Sequence, residues 1–259
     1  MENSYNYTDE RFAPGLVAGR LEKIRSELAA LEAGRSKSAG PVKLLAVTKT
    51  VPVEVINYAI DELGIDAIGV NRVLELLDKY DKLHSPKDKK LEIHLIGSLQ
   101  TNKVKYIIDK VDMIESVDSP KLAAEIDRQA KKAGRVMDIL LEVNIGREPQ
   151  KGGIFPEQLY ELISSIAGFD SLRLRGLMTI APKSDEKSDY EKYFSETFRF
   201  FIDISEKISH NIIMGQIDLS HFDTLSMGMS GSWREAVYAG SNEIRIGSGI
   251  FGERSYPLG

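Results

Sequence analysis

The chain has 259 residues, 42% of them hydrophobic and 28% charged, which is enough apolar side chain to bury a full core. Its formal net charge of −5 excludes a general nucleic-acid or anionic-membrane binder, though not a local basic pocket for a phosphate. With no cysteine and four histidines lacking metal-pair spacing, disulfides, thiolate catalysis and a metal centre are not expected.

The opening residues lack the charged and apolar regions of a signal peptide, and no apolar run reaches membrane-spanning length. The cytoplasm is therefore the expected compartment, with no membrane partner. Residues 1–15 read as a poorly ordered or extended start. Leu16, Ile24, Leu28 and Leu31 then fall at helical spacing. From Val42 onward short apolar runs alternate with longer amphipathic ones. The apolar runs predict strands over 43–48, 67–70, 92–96, 113–117, 139–145, 174–180, 224–229 and 243–246. Helical patterns cover 53–63, 73–82, 121–132 and 156–167, the last two opening at Ser119-Pro120 and Pro156 with first-turn chemistry. The polar segment 181–190 reads as a surface loop, and 210–222 as an insertion before the seventh strand.

Strand–helix repetition requires parallel pairing, because each crossover needs a helix. Eight such units after an extra N-terminal helix predict one domain over 1–259, a closed TIM-type (β/α)8 barrel. An open doubly wound sheet is the alternative, since periodicity does not register closure. In a barrel the functional groups sit at the C-terminal strand ends, and phosphates bind after strands seven and eight. Lys49 falls at the end of the first strand, Ser230 after the seventh, and Gly247-Ser248-Gly249 at the end of the eighth. Closure brings strands one and eight together, so the lysine and the glycine-rich turn share a rim.

A lysine amine that condenses with an aldehyde, beside a turn of small residues that accepts a phosphate, suggests a pyridoxal phosphate (PLP) site. Each residue also has a plainer reading. Lys49 alone is a strand-end lysine reaching for solvent, and the glycine pair is a tight turn. Arg245 within the eighth strand either faces a pyridine nitrogen or forms an interior ion pair, with Glu142 as the partner considered. Asn71 either donates to a ring oxygen or caps the helix after it. His94 reads as a hydrogen-bonded core histidine, and Trp233 as packing a helix on the barrel. Ser226 and Ser230 fit no nucleophile-elbow pattern.

Taken together, residues 42–256 resemble the YggS/PROSC-type pyridoxal phosphate homeostasis protein family. The matching pieces are 44–49, 69–73, 94–103, 141–145 with 151–153, 174–180, 225–230 (LSMGMS) and 245–252 (RIGSGIFG). The resemblance implies a barrel of the alanine racemase N-terminal type, with PLP as an internal aldimine on Lys49. It places Ser230, Gly247 and Ser248 at the phosphate, Arg245 at the pyridine nitrogen and Asn71 beside the ring. Val70 departs from a family glutamate. Ser248 departs from a family threonine but keeps the hydroxyl.

The expected function is therefore cytoplasmic PLP homeostasis by a monomer that holds the cofactor and passes it to apo-PLP enzymes, with at most weak racemase-like activity. A PLP-dependent amino-acid racemase is the first alternative. Racemases similar in the barrel add a β-domain with a second acid/base, whereas this chain reaches Gly259 soon after the eighth strand. The second alternative is a barrel enzyme for a phosphorylated sugar, without PLP.

Overall fold

Runs such as Leu44-Leu45-Ala46-Val47 are apolar on both faces, as strands buried on both sides must be. The computed structural model describes residues 9–35, 40–213 and 215–253. Eight parallel strands, β1 (Lys43–Val47), β2 (Ala67–Val70), β3 (Glu92–Leu95), β4 (Met113–Val117), β5 (Met137–Val143), β6 (Leu172–Thr179), β7 (Thr224–Met229) and β8 (Glu243–Ile246), close into a barrel in chain order. At the seam β1 pairs with β8, setting Leu45 opposite Arg245 and Ala46 opposite Ile246.

Around the barrel lie α1 (Pro14–Ala33), α2 (Val53–Asp61), α3 (Val73–Tyr80), α4 (Pro120–Lys132), α5 (Leu159–Ile166), α6 (Lys187–Ser209), α7 (Trp233–Tyr238) and the single turn α8 (Ser248–Phe251). The start of α4 shows the local cause: Pro120 occupies its first turn, and the Ser119 hydroxyl accepts the Leu122 N–H at 3.4 Å. None of the described helices is long and apolar enough to cross a membrane.

The main core fills the layer between helices and barrel, with Trp233 buried in it as expected. Two small apolar clusters lie apart from that layer, one of Leu45, Ala67 and Ile96, the other of Met113, Leu140 and Met178. They occupy the barrel interior, and polar side chains run between them. The extra helix α1 buries Val17, Leu21, Ile24 and Leu28, one stripe of its surface, and packs against α7 and α8. It thereby braces the glycine-rich turn from outside.

Several expectations change. Residues 1–8 of the expected loose start, and 254–256 of the family resemblance, lie outside the described residues. Beyond residue 8 the start is structured: a 3-10 turn, Glu10–Phe12, buries Phe12, and α1 begins at Pro14. The loop expected over 181–190 is shorter, because α6 begins at Lys187. That helix escaped the sequence reading because charged residues crowd its aromatic positions, and only Phe194, Thr197 and Ile204 are buried. The expected 156–167 helix is a 3-10 turn at Pro156–Gln158 followed by α5. Both β5 and β6 begin two residues earlier than expected. Their first residues include charged ones that pair across strands: Asp138 accepts from Arg173 at 3.2 Å and from Arg175 at 2.7 Å.

Candidate functional site at the C-terminal rim of the barrel

The end of β1 is held on both sides. The Thr48 N–H donates to the Gly69 carbonyl at 3.0 Å, extending the ladder past Val47. Thr50 then turns the chain at φ 62, and its N–H donates to Glu75 Oε1 at 2.7 Å. The same carboxylate oxygen pairs with Lys79 at 2.6 Å. Lys49 lies between these clamps, two residues beyond the strand. It is half-buried and makes no hydrogen bond or ion pair among the described residues. One small cavity is lined by Lys49 with Gly247 and Ser248. A second lies against Lys49, Val70 and Asn71.

Asn71 does not cap the following helix. The N-cap position of α3 is Arg72, with no side-chain cap, and the buried Asn71 Oδ1 has no partner. A buried amide oxygen left unpaired is costly unless something else donates to it. Gly97, after β3, comes so close to this residue that a Cβ there would sit 2.2 Å from the Asn71 carbonyl oxygen.

Ser230 stands in the turn after β7, ahead of α7, which begins at Trp233. Its Oγ accepts the Gly249 N–H at 3.0 Å, tying the β7 loop to the β8 turn. The preceding Gly228 has φ 96, and a Cβ there would meet Ala236 Cβ at 2.6 Å. Glycine at this position lets α7 lie directly on β7. The Ser248 hydroxyl has no protein partner among the described residues. Lys49, Asn71, Ser230, Gly247 and Ser248 thus share one rim.

Arg245 lies below them, 3% exposed. The considered pair with Glu142 is absent. Nη1 donates instead to Ser226 Oγ at 2.7 Å, and Nη2 to the Thr179 carbonyl at 2.8 Å. Ser226 Oγ in turn donates to Glu115 Oε2 at 2.7 Å. His94 bonds Glu115 through Nδ1 at 2.7 Å and Glu92 through Nε2 at 2.8 Å, and Glu92 pairs with Lys43 at 2.6 Å. A chain of six polar side chains therefore runs down the barrel interior. The sequence reading found His94 as a core histidine and weighed Ser226 only as a nucleophile, but missed Glu115 and Glu243. The signal was there: Glu92-x-His94 and Glu243-x-Arg245 repeat every second residue, so each pair faces the same side of its strand.

His94, Glu115 and Glu243 bring ligand-type atoms within 4.8 Å of one another. Both His94 nitrogens already face carboxylates, so the group is an ion-pair network. Burial alone would pull the His94 pKa down, but the Glu243 charge and the hydrogen bonds to Glu115 and Glu92 push it up to about 10. Burial, then the Glu115 charge, pushes the Glu243 carboxyl up to about 7, and its Oε1 has no partner. Burial, with the nearby Asp118 charge, likewise raises Glu142 to about 7.

Folding raises the His94 pKa, so its stabilising contribution is complete below its ordinary 6.5 and is lost as pH climbs through about 10. The expected result is a urea midpoint that declines from pH 6.5 to pH 10; a flat profile across that window contradicts the protonated histidine.

These residues suit a small phosphate ester with a polar aromatic ring. The orphaned Asn71 oxygen, the unpaired Lys49 amine and the free Ser248 hydroxyl each offer it a contact. The family model for the alanine racemase N-terminal domain matches residues 21–255. The pyridoxal phosphate homeostasis protein of Aquifex aeolicus is 40% identical over 239 residues, spanning 92% of this chain and 98% of that protein. A crystal structure from Bifidobacterium adolescentis superposes with a TM-score of 0.80 at 31% identity, over 95% of this chain and 97% of that one. PipY of Synechococcus elongatus, solved with PLP bound, gives 0.76 at 31% identity, over 91% and 100%. With the closed eight-stranded barrel, the family model over residues 21–255 and a relative 40% identical over nearly its whole length, the chain belongs to the pyridoxal phosphate homeostasis protein family, built on the alanine racemase N-terminal barrel.

Proposed function

We propose that this protein is a PLP reservoir. It holds the cofactor covalently on Lys49 and yields it to apo-PLP enzymes, acting as a monomer in the cytoplasm. The observation that carries the reading is the set of unpartnered polar groups on one rim, Lys49, Asn71 Oδ1 and the Ser248 hydroxyl, within a family whose members are named for PLP homeostasis.

When bound, PLP supplies an aldehyde carbon that condenses with an amine. The residues of this chain do the rest. Lys49 would hold the cofactor through its amine, whose condensation with that carbon releases the carbonyl oxygen as water. Gly247, Ser248 and Ser230 would hold the phosphate with hydroxyl and backbone groups, and Asn71 would take a ring-side contact. Arg245, a guanidinium that only donates, would direct an N–H toward the ring nitrogen and keep it from gaining a proton. That last feature favours holding over turnover, because an unprotonated ring is a poor electron sink.

Incubation of purified protein with PLP is expected to generate a saturable visible absorption band that persists through desalting. A protein that stays colourless contradicts the reading and favours a phosphosugar ligand at the same rim.

A further inference from the structure

Every hydrogen in the interior chain has a determined direction. An arginine only donates and an ionised carboxylate only accepts. The Ser226 hydroxyl, which accepts from Arg245 Nη1 at 2.7 Å, must therefore send its own proton to Glu115 Oε2, also at 2.7 Å. His94 faces a carboxylate from each nitrogen, Glu115 at 2.7 Å and Glu92 at 2.8 Å, so it donates from both. The polarity runs Arg245 to Ser226 to Glu115, with His94 donating to Glu115 from the other side.

Arg245 is 3% exposed, yet no carboxylate lies within ion-pair distance of it among the described residues. This is unusual, since a buried guanidinium ordinarily takes a bidentate carboxylate. Glu115 is one hydroxyl away, and its second oxygen is held by His94. Among the described residues, two of the five Arg245 N–H groups are used, one by Ser226 and one by the Thr179 carbonyl.

We propose that Ser226 is a positioning residue that acts as a spacer. It passes the Glu115 charge to Arg245 without letting the two form a direct pair, so the remaining guanidinium N–H groups stay available to a ligand ring at the barrel mouth. The proposal rests on the PLP reading above and deepens it. Without the hydroxyl, the guanidinium swings onto Glu115 and withdraws from the ring nitrogen, which then becomes free to protonate.

The test compares PLP dissociation constants, and the pH profile of the visible band, for wild type, Ser226→Ala, Ser226→Thr and the double variant Ser226→Ala/Glu115→Gln. Ser226→Ala is expected to weaken PLP binding about ten-fold, on the scale of one lost hydrogen bond to a charged group, and to add a pH transition of the band absent from wild type. Ser226→Thr keeps the hydroxyl and restores both properties. The double variant removes the carboxylate onto which Arg245 would collapse, and recovers most of the affinity. If Ser226→Ala does not fold, Ser226→Cys, nearly isosteric and a weak hydrogen-bonding group, carries the same expectation.

Wild-type affinity and an unchanged pH profile in Ser226→Ala overturn the spacer while the PLP reading stands. A double variant no better than the single one also overturns it. Wild-type protein that takes up no PLP defeats the PLP reading, and the spacer falls with it.

Discussion

Glu115→Ala is expected to remove about 3–5 kcal/mol of folding stability, the usual consequence of deleting one member of a buried charge pair. Glu115 is fully buried and serves two donors, His94 at 2.7 Å and Ser226 at 2.7 Å. Burial by itself would raise its pKa, but the His94 hydrogen bond and charge outweigh that and hold it below the ordinary carboxylate range. Alanine leaves the His94 imidazolium short of one carboxylate and the Ser226 hydroxyl without an acceptor. The neighbouring Glu243 makes a useful contrast, because its Oε1 is already unpaired and the group carries a raised pKa. Glu243→Gln should therefore cost far less. Urea denaturation of the two variants at pH 7 measures the difference. A loss below about 1 kcal/mol for Glu115→Ala, the scale of an exposed pair, contradicts the account of the interior network.

Lys49→Ala is expected to abolish covalent retention of PLP, taking borohydride-trapped cofactor from near stoichiometric to background. The fold should tolerate the change: Lys49 is half-buried and without a protein partner, so stability should move by no more than about 1 kcal/mol. Reversible binding should survive in weakened form, since Ser230, Gly247 and Ser248 remain. Lys49→Arg is the matching control, keeping the charge but not the nucleophilic amine. Trapped cofactor undiminished in either variant contradicts the role of Lys49.

The fold was legible because the strand–helix alternation is carried by strongly apolar runs, and because eight units in chain order leave few topologies open. Its blurred places have specific causes. The starts of β5 and β6 are written in charged residues that pair with one another, Asp138 with Arg173 and Arg175, so they read as loop. Helix α6 covers the barrel with scattered aromatics, which hide its period. For the site, the rim was predictable once Lys49, Ser230 and Gly247 had been assigned to strand ends, since barrel geometry places all such ends on one face.

What lay below the rim was less accessible. An arginine in a strand announces a partner without naming it, and Glu142 was one carboxylate the sequence offered. The actual partners, Ser226 and the Thr179 carbonyl, come from β7 and β6. Only the closed barrel, with its register, brings them together. Asn71 shows the converse: local sequence offers it as a helix cap, but the structure puts the N-cap at Arg72 and leaves the Asn71 amide oxygen without a partner. Of Val70, the departure from the family glutamate, the structure says that it is a buried β2 residue beside Asn71, lining the cavity that Lys49 also lines.

The most direct measurement is peptide mapping of protein incubated with PLP, reduced with borohydride and digested. The account predicts one modified peptide, carrying the cofactor on Lys49, at a stoichiometry approaching one per chain. Cofactor spread over surface lysines, or concentrated on a lysine away from the C-terminal rim, contradicts it.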